Sequence, residues 1–151
     1  MNTQTQLLLE AWQEARTRFT LQLPKIVADD LTKKLPPSPN SAGFILRHVC
    51  DVELLFAKNI FGAKEINVHA STLIDQCDKG KWTNLKELLE YQQIAFQALK
   101  KVIELQPDEV WQQLITTTEF GVKTKAQVIG RIISHTAYHA GQLAMILKYG
   151  V

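Results

Sequence analysis

The chain has 151 residues, 46% of them hydrophobic and 21% charged, with 17 basic against 15 acidic side chains. That is the length of one domain with enough apolar material for a core, which excludes disorder and a fibrous architecture. A net charge of +2 lacks the electrostatic footprint of a nucleic-acid binder.

Cys50 and Cys77 are the only cysteines and form no CxxC, so zinc-ribbon and thioredoxin-like sites and a disulfide scaffold are excluded. The opening residues Met1 to Gln6 lack the charged and apolar regions of a signal peptide. No stretch of about 18 apolar residues occurs to span a membrane. A single cytoplasmic domain over residues 1–151 is the expectation.

Leu8, Trp12, Ala15 and Phe19 recur at helical spacing and predict a first helix from about residue 4 to Leu23, stopped by Pro24. A proline-rich connector ends at Pro39, and Asn40 or Ser41 can cap a second helix. Phe44, Ile45, Val52, Leu55, Phe56 and Ile60 form its apolar face, with Gly62 just beyond it. Residues 63–82 show no strong period, although a short helix fits around Ser71–Cys77. Asn84 with Glu87 makes a capping box for a third helix bearing Leu85, Leu88, Leu89, Phe96, Leu99 and Ile103, and Pro107 marks its end.

Trp111–Lys123, threonine-rich with a glycine, reads as a loop with a little strand character. Thr124 with Gln127 opens a fourth helix running to about Lys148, and Gly150 ends it. Four apolar stripes and no convincing strand pair predict an all-α four-helix bundle.

The fourth helix carries His135 and His139. Four residues turn a helix by about 400°, so the two imidazoles point within roughly 40° of each other, about 6 Å apart along the axis. Val128, Ile132, His135, His139, Gln142 and Ile146 share one arc, so this stripe is expected to face the interior. Buried imidazoles need partners. They either satisfy one another in a core network or hold a ligand. His48, within the apolar face of the second helix, supplies a third inward imidazole. Three neutral imidazoles would leave a coordination position open, the mark of a catalytic metal.

Asp51, three residues beyond His48, can orient a ligand imidazole or accept a proton, or is simply a surface carboxylate. Gln142 can hold a metal-bound group or the second nitrogen of an imidazole. Both are candidate catalytic residues. Glu53, turned about 140° from His48, is expected at the surface, and Cys50 as a buried packing residue. Tyr138 and Arg131 border the stripe, either at the mouth of the site, where they could meet an anionic substrate, or on a solvated flank. His69 is expected at the surface, in a loop that could also lie over the pocket, and Trp12, Trp82 and Trp111 in core or edge packing roles. Gly130, Ser134, Ala137 and Gly141 form a small-residue strip on the fourth helix, suited to close packing inside the bundle or against a second subunit, with the first as the expectation.

HExxH, ExxH, CxxCH, a glycine-rich phosphate loop and GxSxG are all missing from the sequence. Zinc-protease, ferritin-like di-iron, covalent haem, phosphate-loop and serine-hydrolase sites are therefore excluded.

The segment Ile45-Leu46-Arg47-His48-Val49-Cys50-Asp51-Val52-Glu53, together with Ser134-His135-Thr136-Ala137-Tyr138-His139-Ala140-Gly141-Gln142-Leu143, resembles the DinB/YfiT-like superfamily of metalloenzymes, the second run matching its HxxxHxGQL signature. The resemblance covers nearly the whole chain. It implies an up-down-down-up four-helix bundle with a long crossover between helices two and three. It implies a divalent metal, commonly nickel or zinc, held near one end of the bundle by His48, His135 and His139. It also implies a homodimer and, among characterised relatives, thiol-dependent transferases and isomerases using bacillithiol, mycothiol or glutathione. The additional C-terminal domain of some mycothiol-dependent relatives is not expected here.

The resulting expectation is a metal-dependent enzyme that activates a thiol or water for S-transfer or hydrolysis of a small electrophilic substrate. The alternatives are a non-catalytic, stress-associated dimer that binds metal or a small ligand, and a structural bundle with a histidine network in its core.

Overall fold

The computed structural model describes residues 3–151. Four long helices dominate: α1 (Thr3–Thr20), α2 (Ala42–Asn59), α4 (Leu85–Glu104) and α5 (Lys125–Tyr149). A short helix, α3 (Ser71–Asp75), lies in the crossover, and a hairpin of β1 (Leu114–Thr117) and β2 (Gly121–Thr124) precedes α5. The expected all-α bundle is therefore present, with one small addition. The hairpin is antiparallel, with Leu114 opposite Thr124 and Thr117 opposite Gly121. Its strands are too short and too exposed to show the apolar alternation from which a strand pair is normally read.

The caps act as their side chains dictate. Ser41 accepts a hydrogen bond from the Phe44 amide at the start of α2, Asn84 from Glu87 at the start of α4, and Thr124 from Gln127 at the start of α5. α1 ends at Thr20, three residues earlier than expected, and a short 3-10 turn at Leu23–Lys25 takes up the chain at Pro24.

Two apolar clusters reveal the direction of each helix. Phe19, Ile45, Leu46, Leu88, Leu143 and Ile146 share one cluster. Trp12, Phe56, Leu99, Ile103, Trp111 and Ile132 share the other. α1 and α5 thus run from the second cluster to the first, and α2 and α4 run the opposite way. This is up-down-down-up connectivity, and residues 60–84 form the long crossover that brings the chain back from the end of α2 to the start of α4.

α2 is buried on nearly every side, not along one stripe, because α4, α5 and the crossover all pack on it. That corrects the reading of Glu53. It is fully buried and forms a two-point ion pair with Arg16 of α1, Nε to Oε1 at 2.7 Å and Nη2 to Oε2 at 2.9 Å. Turning away from His48 directs it into the core, because the far side of α2 is covered as well. Arg16 lies against the rings of Phe19 and Phe96, 5.4 and 4.8 Å from their centroids.

The small-residue strip of α5 is also corrected. Gly130, Ser134, Ala137 and Gly141 are exposed, and a Cβ added at Gly130 or Gly141 would meet nothing within 4 Å. The buried line of α5 is Val128, Ile129, Ile132, Thr136, Ala140, Leu143 and Ile146.

Candidate metal centre

His48 lies in the first half of α2, and His135 and His139 lie one helical turn apart in α5. The three converge between the two apolar clusters, near mid-length of the bundle instead of near one end. The ring centroids lie 5.0 Å (His48–His135), 4.7 Å (His48–His139) and 4.4 Å (His135–His139) apart. One ring nitrogen from each residue lies within 4.8 Å of one from each of the others. His48 and His135 approach most closely, Nε2 to Nε2 at 3.1 Å.

All three rings are half-buried, and those of His135 and His139 stand on the flank of α5 rather than on its innermost line. They line a groove of about 790 Å³ between α2 and α5. Val52, Leu55, Phe56, Ile60, Leu73 and Phe120 give it apolar walls. Asn59, Arg131, Ser134 and Tyr138 add polar groups, and the hairpin tip Thr117–Phe120 closes one side. Glu119 is the only carboxylate among the lining residues. Sequence spacing gave no sign of Asn59, Glu119 or Phe120, because they reach the groove through the bundle and hairpin geometry.

The electrostatics favour neutral imidazoles. Burial, and then the neighbouring His139, pushes His48 down to about 4, against a smaller opposing pull from Asp51. Burial, then His139 and His48, pushes His135 down to about 3. Burial also lowers His139, opposed by its hydrogen bond to Gln142. All three therefore present lone pairs near neutral pH.

Their outer nitrogens are partly held. His139 Nδ1–H donates to Gln142 Oε1 at 2.6 Å, which leaves Nε2 as its free lone pair. Gln142 in turn donates to the Tyr138 hydroxyl at 3.1 Å. His48 Nδ1 lies 3.1 Å from the Thr72 hydroxyl. His135 Nδ1 is buried with no partner among the described residues.

This donor set fits a divalent cation. Two imidazole nitrogens each about 2.0–2.1 Å from zinc lie roughly 2.9–3.4 Å apart at angles from square to tetrahedral, which brackets the closest pair here. Ligand histidines also generally donate their second nitrogen to a fixed acceptor, as His139 does.

Asp51 is fully buried and does not line the groove. Its carboxylate accepts from Arg47 Nε at 2.7 Å, from the Tyr91 hydroxyl at 2.8 Å, and from the Thr72 hydroxyl and amide at 2.8 and 3.2 Å. Burial and the Asp51 carboxylate raise the Tyr91 phenol well above its usual range, so it stays a donor. The Arg47 guanidinium is held between Trp82 and Tyr91, 4.6 and 3.8 Å from their centroids, and donates to the His69 carbonyl at 3.3 Å.

Arg131 and Tyr138 both line the groove, with Arg131 5.7 Å from the Phe120 centroid. The His69 side chain is exposed and outside the groove. Cys50 is buried, its thiol raised by burial and donating to the Leu46 carbonyl at 3.2 Å, while Cys77 is exposed. Trp12 and Trp111 are fully buried.

Among the described residues, no helix is long and apolar enough to cross a membrane. No curated protein and no solved structure gives a significant match to the chain. A family model does match, over residues 6–143, a span that includes all three histidines and most of both core clusters, and the chain belongs to the DinB superfamily.

Proposed function

We propose that the protein is a metal-dependent enzyme that activates a small thiol for transfer to an electrophilic acceptor. The observation that carries this reading is the convergence of three neutral imidazoles at the wall of an apolar groove. Imidazole donors suit zinc or nickel. Once bound there, such a cation supplies Lewis acidity, lowering the pKa of a thiol or water that joins it.

Thiol chemistry is favoured over hydrolysis by the shortage of a base. Asp51 is closed off beneath α3 with all its acceptor sites engaged, and Glu119 lies at the hairpin tip. A thiol of pKa about 8.5 needs far less assistance to ionise than water at about 15.7.

The chain's own residues then bind and orient. Val52, Leu55, Phe56 and Phe120 exclude water from the acceptor, and Arg131 pairs with an anionic group on the thiol or acceptor. Gln142 holds His139 in the ligating tautomer. The thiol's proton passes to solvent water, its sulfur bonds to the electrophilic carbon, and either a leaving group departs with its bonding electron pair or a proton from solvent completes the adduct. The protein is also proposed to be a homodimer. The exposed, uncharged strip of Gly130, Ser134, Ala137 and Gly141 supports this, since small side chains allow close helix approach.

Elemental analysis of untagged protein tests the centre: one divalent ion per chain is expected in the wild type and much less in His139→Ala. Cobalt-loaded protein titrated with low-molecular-weight thiols should then show a sulfur-to-cobalt charge-transfer band. A screen of those thiols with electrophilic acceptors should show turnover. Bound metal without turnover would make the protein a binding module, and one-to-one metal in His139→Ala would overturn the ligand set.

A further inference from the structure

Helix α3 brings one side chain to the histidine centre from outside the bundle. Thr72 is 2% exposed and bridges two groups of α2, with its Oγ1 2.8 Å from Asp51 Oδ2 and 3.1 Å from His48 Nδ1. A threonine hydroxyl has one hydrogen to donate and lone pairs to accept. Asp51, paired with Arg47 at 2.7 Å, can only accept. The hydroxyl hydrogen therefore goes to Asp51, and Thr72 Oγ1 accepts from His48 Nδ1–H. That fixes the tautomer: the lone pair of His48 is on Nε2, the atom facing His135.

We infer that Thr72 is a positioning residue, which locks His48 in the Nε2-ligating tautomer and transmits the Asp51 carboxylate to it. The inference rests on the metal reading above and extends it to a segment outside the four long helices. Asp51 accepts from Arg47, Tyr91 and Thr72, so its hydrogen-bonded link to His48 runs through the hydroxyl that the crossover supplies. The bridge is held at its carboxylate end by further hydrogen bonds. The Thr72 amide also donates to Asp51, and Arg47 and Tyr91 hold that carboxylate from α2 and α4. The neighbouring Leu73 lines the groove, so the same turn that sets the ligand also forms part of the wall.

The test uses the full chain and two readouts. In the metal-free wild type, nitrogen-15 NMR of the His48 ring should show Nδ1 protonated and Nε2 bare. Thr72→Val, which keeps the shape and removes the hydroxyl, should lose that preference. It should also weaken zinc affinity about 10–100-fold, the usual effect of losing an outer-shell partner, measured by competition with a chromophoric chelator. Thr72→Ser should restore both the tautomer and an affinity within about threefold of wild type. A role in packing alone predicts no such rescue of the ring signal.

A wild-type His48 protonated on Nε2 overturns the inference without any variant, so a Thr72→Val chain that fails to fold does not protect it. Unchanged zinc affinity in folded Thr72→Val overturns it as well. A wild type that binds no cation, with His48 protonated on Nδ1, would instead remove the metal reading and leave the bridge standing.

Discussion

Arg16 of α1 and Glu53 of α2 meet in a two-point ion pair at the centre of the bundle, with side chains 1% and 0% exposed. Burial raises the Glu53 carboxyl, and the guanidinium opposes that rise. Removing one partner leaves an uncompensated buried charge, which costs about 3–5 kcal/mol. Glu53→Leu alone should therefore destabilise strongly, whereas Arg16→Met with Glu53→Leu should recover most of the loss. Urea denaturation of the three chains checks this. Equal stability of the single and double variants would show that the pair is not coupled.

Acid should weaken the metal-free protein through its histidines. His48 falls to about 4 and His135 to about 3 in the fold, against 6.5 for the unperturbed side chain, and His139 is lowered too. Between those values the unfolded chain binds more protons, so stability rises with pH. The contribution is complete above about pH 6.5 and is lost as pH falls toward the folded values. The denaturation midpoint should drop from pH 7 to pH 4, less steeply in His135→Phe than in wild type. Identical slopes would show that the imidazoles are not the cause.

Gln142 accepts from His139 at 2.6 Å. Gln142→Leu removes that acceptor and should reduce zinc affinity about 10–100-fold, while Gln142→Glu should retain it. Chelator competition measures both. An unaltered affinity for the leucine variant would place Gln142 outside the support of the centre.

Leu55 is a half-buried groove residue. Leu55→Trp should fill the space beside the histidines without touching a ligand. Metal content should stay at one per chain while kcat/KM of the proposed transfer falls at least about tenfold, a loss of roughly 1.4 kcal/mol in transition-state stabilisation. Full activity with the groove filled would mean that the acceptor binds elsewhere.

Gly43, near the start of α2, is where the returning crossover touches the bundle. A Cβ there would run into the carbonyl oxygen of Trp82 and approach that of Leu31 to 3.2 Å. Gly43→Ala should therefore cost about 1–3 kcal/mol by pushing the Trp82 backbone away. Thermal melts read the loss, and a neutral result would show that the crossover can move at little cost.

Much of this arrangement could be read from the amino-acid order because its causes are local. Ser41, Asn84 and Thr124 cap their helices through atoms three residues away. His135 and His139 share a flank because four residues make just over one turn. What could not be read depends on which elements surround a helix. Periodicity identifies an apolar face on α2 but gives no sign that its other sides are covered, which is why it leaves Glu53 in solvent. On α5 the stripe expected to face the interior does so at Val128, Ile132 and Ile146, whereas His135, His139 and Gln142 are half-buried at the edge of the line that Thr136, Ala140 and Leu143 continue. Thr72 lies in a stretch without a period. It joins the centre only because the crossover folds back over α2, a contact no spacing rule describes.

The 87 positions separating His48 from His135 have a bearing on biosynthesis. α5 is the last of the long helices to be made, and both its imidazoles follow His48, Thr72 and the hairpin. A nascent polypeptide that has emerged only as far as the hairpin holds one of the three converging imidazoles, that of α2. Capture of a cation by the three histidines, as proposed above, would therefore wait until translation has passed α5 and the fold has closed.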